Sequence, residues 1–116
     1  MSQTPLYELP FEEVRHEVPS TDGVVAVAYD WGGDGPPLIF AHATGLHSHC
    51  YVPLVAHLRS RFHCYAVDVR GQGDGGVPAN LAFGWSHIAQ DFTAALDALG
   101  LSGRGDVHGI GHSQGG

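Results

Sequence analysis

The residues of this chain best suited to chemistry stand together in Gly111-His112-Ser113-Gln114-Gly115-Gly116, a serine set in a Gly-x-Ser-x-Gly frame. Small residues two before and two after the serine let the backbone turn sharply from a strand into a helix. That turn presents the Ser113 hydroxyl on an exposed tip, as a nucleophile requires. Taken alone the frame is a weak signal in a chain with 17 glycines, so its context has to carry it. His112 is adjacent to the serine, which throws its side chain to the other side of the backbone, and it is not read as the base. Two more segments bear polar groups beside glycine: Phe40-Ala41-His42-Ala43-Thr44-Gly45 and Asp68-Val69-Arg70-Gly71-Gln72-Gly73-Asp74-Gly75. His42 reads as a hydrogen-bonding residue that shapes its loop, and Asp68 and Arg70 as residues that order theirs.

Nine histidines in 116 residues raise a metal reading, above all His47, His49 and Cys50 with His63 and Cys64. Zinc ligands usually come as pairs at defined spacings on a hairpin or helix. Here they fall in a loop and at a strand entry, so no metal and no cofactor is expected. Cys50 and Cys64 show neither a Cys-x-x-Cys spacing nor a disulfide-dense pattern, and both read as small buried hydrophobes.

The elements that must position these groups follow from periodicity. Residues 1–13 form a polar, proline-punctuated arm. Val14 to Val18 and Val24 to Trp31 read as strands around Asp22-Gly23, a dipeptide suited to the positive φ of a tight hairpin turn. In the second strand Val25, Val27, Tyr29 and Trp31 share one face against the smaller Ala26 and Ala28, the pattern of a half-buried antiparallel strand. The apolar run Leu38-Ile39-Phe40-Ala41 has the look of a strand buried on both faces of a parallel sheet. Tyr51, Leu54, Val55, Leu58 and Phe62 recur at helical spacing, with Pro53 tolerable in the first turn. A strand over Cys64 to Val69 follows. Then comes a helix marked on one face by Trp85, Ile88, Ala89, Phe92, Ala95, Leu96 and Leu99, with Ser86 as its cap and Gly100 as its stop. A last strand, Asp106 to Ile110, leads into the serine turn.

With three such segments in order after three successive strands, residues 14–116 resemble the N-terminal half of an α/β-hydrolase-fold protein of the lipase and esterase type. The expected fold class is α/β: an antiparallel N-terminal hairpin, then parallel strands with helices, a partial α/β-hydrolase sheet that stops after the fifth strand. The resemblance implies that Ser113 is the nucleophile and that His42 shapes the oxyanion loop. It also implies that the backbone N–H groups of Thr44 and Gln114 hold the oxyanion. The chain departs from the family at Ala43, where glycine is more frequent, and at Gly75, where serine is. The second change is expected only to remove a loop hydroxyl. A serine at 113 also argues against the haloalkane dehalogenase and epoxide hydrolase branches, which use a carboxylate there. The triad of this fold runs serine, acid, histidine, so the acid and base are expected outside these 116 residues, and the fragment is expected to be inactive.

Twelve acidic groups against five arginines and no lysine give a net charge of −7, which disfavours nucleic acid and anionic membranes. No apolar run is long enough to span a bilayer, and Glu8, Glu12, Glu13 and Glu17 interrupt any secretory h-region. A cytoplasmic location and a small, ester-like substrate are expected, with the oligomeric state unread. Two rival readings remain: a nucleotide-binding fragment, with Gly109, Gly111 and Gly115 as a phosphate loop, and a non-catalytic binding protein of the same fold.

Overall fold

The computed structural model describes residues 9–42 and 46–112, which form one five-stranded mixed sheet in the order β1-β2-β4-β3-β5. Strand β1 (Val14–Pro19) and strand β2 (Val25–Gly32) pair antiparallel, with Val14 opposite Asp30 and Pro19 opposite Val25. Their connection turns on Asp22 (φ 59°) and Gly23 (φ 71°), closed by the Val24 N–H donating to Thr21 O at 3.0 Å. Two consecutive positive φ values define a type I′ turn, whose twist matches that of the flanking strands. Strand β2 then pairs antiparallel with β4 (His63–Asp68), and β4 pairs in parallel with β3 (Pro37–Ala41). Strand β5 (His108–Gly111) lies parallel on the far side of β3.

Helices cover the sheet from opposite sides. A 3-10 turn, η1 (Ser48–Tyr51), runs into α1 (Val52–Leu58), whose Val52 and Val55 pack with Val27, Tyr29, Trp31, Leu38 and Phe40. On the other face α2 (Trp85–Ala98) packs Ile88, Phe92 and Ala95 over Ala26, Ala28, Ile39 and Val67. Leu9 and Phe11 of the arm join the α1 layer, and Glu13 accepts a hydrogen bond from Trp31 Nε1 at 2.8 Å.

Strand β2 is therefore not half-buried. Ala26 and Ala28 are as inaccessible as Val27, Tyr29 and Trp31, because α2 covers the face on which the alanines stand. Small side chains there let the helix approach closely; they do not mark a solvent face. Other local expectations are corrected by packing. Leu54 turns outward on α1, and Cys50 is exposed whereas Cys64 is buried. Gly84, not Ser86, takes the N-cap position of α2, in extended conformation and with no side-chain cap. The C-terminal stop stands as expected: Gly100 (φ 73°) donates to Asp97 O and Leu101 donates to Leu96 O, the paired bonds of a Schellman motif. Among the described residues no helix is long and apolar enough to cross a membrane.

Candidate active site

Strands β3, β4 and β5 point the same way, so their carboxyl ends meet at one edge of the sheet. Register sets them level: Ala41 pairs with Val67 on one side and with Gly111 on the other. The next residues along, His42, Asp68 and His112, therefore stand side by side. The chain leaves β3 towards α1 on one face and leaves β4 towards α2 on the other. Such divergence opens a crevice beyond the strand ends, the usual place for ligands in open α/β sheets.

The loop after β4 is built around two buried charged residues. Asp68, 1% exposed, accepts the Ser48 N–H at 2.8 Å through one oxygen and the Asp74 N–H at 3.0 Å through the other. The Tyr29 hydroxyl lies 3.2 Å from Asp68 Oδ2 and also bonds the Asp74 carboxylate. Burial and these two carboxylates push the Tyr29 phenol well above its ordinary range, so it stays a donor. Arg70 is wholly buried. Its Nε and one terminal nitrogen make a two-point contact with Asp91 of α2, both at 2.8 Å, and its other terminal nitrogen reaches Asp22 at 2.7 Å and Ala82 O at 2.8 Å. Thr21 Oγ1 completes the set at 2.8 Å. Burial would raise the Asp91 carboxyl, but the hydrogen bonds from Arg70 and Ser20 outweigh it and hold Asp91 below the usual carboxylate range. One side chain thus ties the β1–β2 hairpin, α2 and the loop before it to the end of β4.

Gly75 has a steric reason to be glycine. A Cβ there would stand 2.0 Å from the carbonyl oxygen of Val69. The departure from serine is thus a matter of space in this loop and not just of a missing hydroxyl.

His112 is held from β3 and from η1. His112 donates its backbone N–H to Ala41 O at 3.2 Å, one step past the last paired residues. Its Nδ1 lies 3.0 Å from the Tyr51 hydroxyl. Ser113, Gln114 and Thr44 lie outside the described residues; His42 directly follows β3 and is 4% exposed. Of the histidines weighed as metal ligands, His49 meets Glu13 at 2.5 Å and packs its ring against His47, and His63 meets Asp30 at 2.6 Å. Alongside, a groove of about 500 Å³ runs between α2 and the β3–β5 pair, floored by Ile39, Ala41, Gly109 and Gly111 and walled by Ile88 and Phe92.

Residues 38–116, more than half of the chain, match the sequence pattern of the alpha/beta hydrolase family. The chain belongs to the α/β hydrolase family. It is 31% identical over 106 residues to the probable oxidoreductase EphD of Mycobacterium tuberculosis, spanning 90% of this chain and 18% of that protein. It is 31% identical over 83 residues to the uncharacterized carboxylesterase nap of Bacillus subtilis, spanning 72% of this chain and 27% of that one. Among solved structures, the epoxide hydrolase VrEH1 from Vigna radiata superposes with a TM-score of 0.74 at 25% identity, over 90% of this chain and 33% of its own. The chain thus spans about a fifth to a third of the length of these proteins.

Sequence reading passed over three participants of this edge. Tyr29 and Tyr51 were legible only as apolar members of a strand and a helix, and Asp91 falls among the residues of the α2 core face. The one available signal was Arg70: a buried guanidinium requires a carboxylate partner, although nothing in the chain says which.

Proposed function

We propose that this chain carries the nucleophile of a serine hydrolase acting on carboxylic esters or related acyl compounds. The observation that supports it best is the alignment of His42, Asp68 and His112 at the carboxyl ends of adjacent parallel strands. The sequence places Ser113 directly after one of them and Thr44 two residues after another. In this reading the Ser113 hydroxyl attacks the carbonyl carbon, and the backbone N–H groups of Thr44 and Gln114 receive the developing oxyanion. Collapse expels the alcohol, and water then releases the acid from the acyl-enzyme. His42 shapes the loop that carries Thr44.

The hydroxyl needs a base, and the triad order of the fold puts acid and histidine after the serine. The 116 residues taken by themselves hold Ser113 without that acid and histidine, and are expected to show no turnover. Membership of the α/β hydrolase family favours this reading over a phosphate loop of Gly109, Gly111 and Gly115.

The protein expressed from its own gene should react with a fluorophosphonate probe at Ser113, found by peptide mass spectrometry, and hydrolyse short acyl esters. Ser113→Ala should abolish both, with a loss of about a million-fold in turnover expected for a triad serine. Labelling that survives Ser113→Ala would overturn the assignment. Opening of an epoxide that withstands the same change would move the protein towards the chemistry named for VrEH1, and a folded protein inert to probe, ester and epoxide would favour a binding role.

A further inference from the structure

We infer that Tyr51 is a positioning residue, a strut that holds His112, the residue before Ser113, against the turn η1 that follows the loop after β3. The inference rests on Ser113 being the nucleophile.

Tyr51 closes η1, the helical turn that follows that loop. Its ring lies against Phe40 of β3, with centroids 5.5 Å apart and planes 27° apart, and Phe40 is 1% exposed. The ring therefore stands on a rigid base. Its hydroxyl meets His112 Nδ1 at 3.0 Å, and the two rings pack edge to face with centroids 6.2 Å apart. His112 is held at its other end by the 3.2 Å backbone bond to Ala41 O. The start of η1 is pinned as well, through the Ser48 N–H on buried Asp68. These bonds close a ring that runs from the end of β3 through η1 and His112 back to the end of β3, with β4 fastening it from below.

Such a ring has a consequence for chemistry. In the proposed mechanism the two oxyanion donors come from different segments, one from the loop between β3 and η1, the other from the turn just past His112. They act together only when both reach the same oxygen, and productive sites hold such groups to within about 0.5 Å. The strut joins the segments that flank the two donors. If Tyr51 donates, Nδ1 accepts and the neutral His112 ring carries its proton on Nε2; in the other tautomer the roles reverse. Either arrangement needs the phenolic oxygen, and phenylalanine supplies the same ring without it.

The test compares variants of the protein expressed from its own gene by ester kinetics, fluorophosphonate labelling rate and thermal melting. Tyr51→Phe should lower kcat and the labelling rate about tenfold, the scale of one lost hydrogen bond, with KM changed less than about twofold and the melt unaltered. His112→Leu should do the same, and adding Tyr51→Phe to it should cost nothing more. His112→Asn, whose amide can reach the Tyr51 hydroxyl from a similar position, should recover most of the rate. Wild-type rates in Tyr51→Phe, losses that multiply in the double variant, or losses that follow the melt would each overturn the inference. Should Tyr51→Phe not fold, equal rates for His112→Leu and His112→Asn would overturn it. Those results leave Ser113 labelled in the wild type and its role intact. A wild type that is never labelled at Ser113 defeats the nucleophile assignment and the strut with it.

Discussion

A serine at position 75 would bring a Cβ to within 2.0 Å of Val69 O and 2.7 Å of Val69 C, both backbone atoms that cannot rotate away. The loop around it is already committed, with Gly71 N–H on Gly76 O at 2.8 Å and Gly76 N–H on Val25 O at 2.9 Å. Gly75→Ser is therefore expected to destabilise the fold by about 1–3 kcal/mol, the range for an overpacked site, seen as a lower urea midpoint with unchanged slope. An unchanged midpoint would show that the loop yields cheaply. Sequence reasoning recognised this loop and its charged residues, yet read Gly75 as a mere lost hydroxyl, because the obstructing carbonyl belongs to backbone whose path is set by the sheet.

At the scale of elements, the Arg70–Asp91 pair joins the end of β4 to α2 with both side chains fully buried. Removing one partner leaves a buried charge uncompensated, and such losses run to about 3–5 kcal/mol. Asp91→Ala should accordingly lower the stability of the folded protein far more than Asp106→Ala, which breaks only the exposed pair with Arg104. Acid should act through the same carboxylate. Asp91 titrates lower in the folded chain than in the unfolded one, as does Asp22 beside Arg70. The unfolded chain thus takes up protons first as pH falls, and stabilisation present above about pH 4 is lost on further acidification. A melting temperature flat down to strongly acidic pH in the wild type, or equally steep in Asp91→Ala, would contradict this. The helix itself was legible from its apolar spacing and its glycine stop; the acid inside its core face was not, because its partner lies 21 residues away.

For the whole molecule, the edge of the sheet is the weak point. All four residues of β5 are exposed, and among the described residues no strand lies on its outer side. Next to it runs the apolar groove, with Trp85 71% exposed at its rim. Unpaired edges and contiguous apolar surface invite association. The 116 residues produced alone are expected to aggregate or to remain partly molten, which light scattering and an amide NMR spectrum would reveal. A dispersed spectrum with one cooperative melt would refute that.

By itself the sequence determined the kinds and order of the elements, the hairpin turn at Asp22-Gly23, the stop at Gly100 and the three segments at the strand ends. Each is encoded within a few residues, as a period, a positive φ or a glycine spacing. Only the tertiary structure decided that β2 is buried on both faces, that Arg70 reaches Asp22 across 48 residues, and that Tyr51 meets His112 across 61. Those pairings depend on strand order and register, which bring together side chains that no local pattern relates.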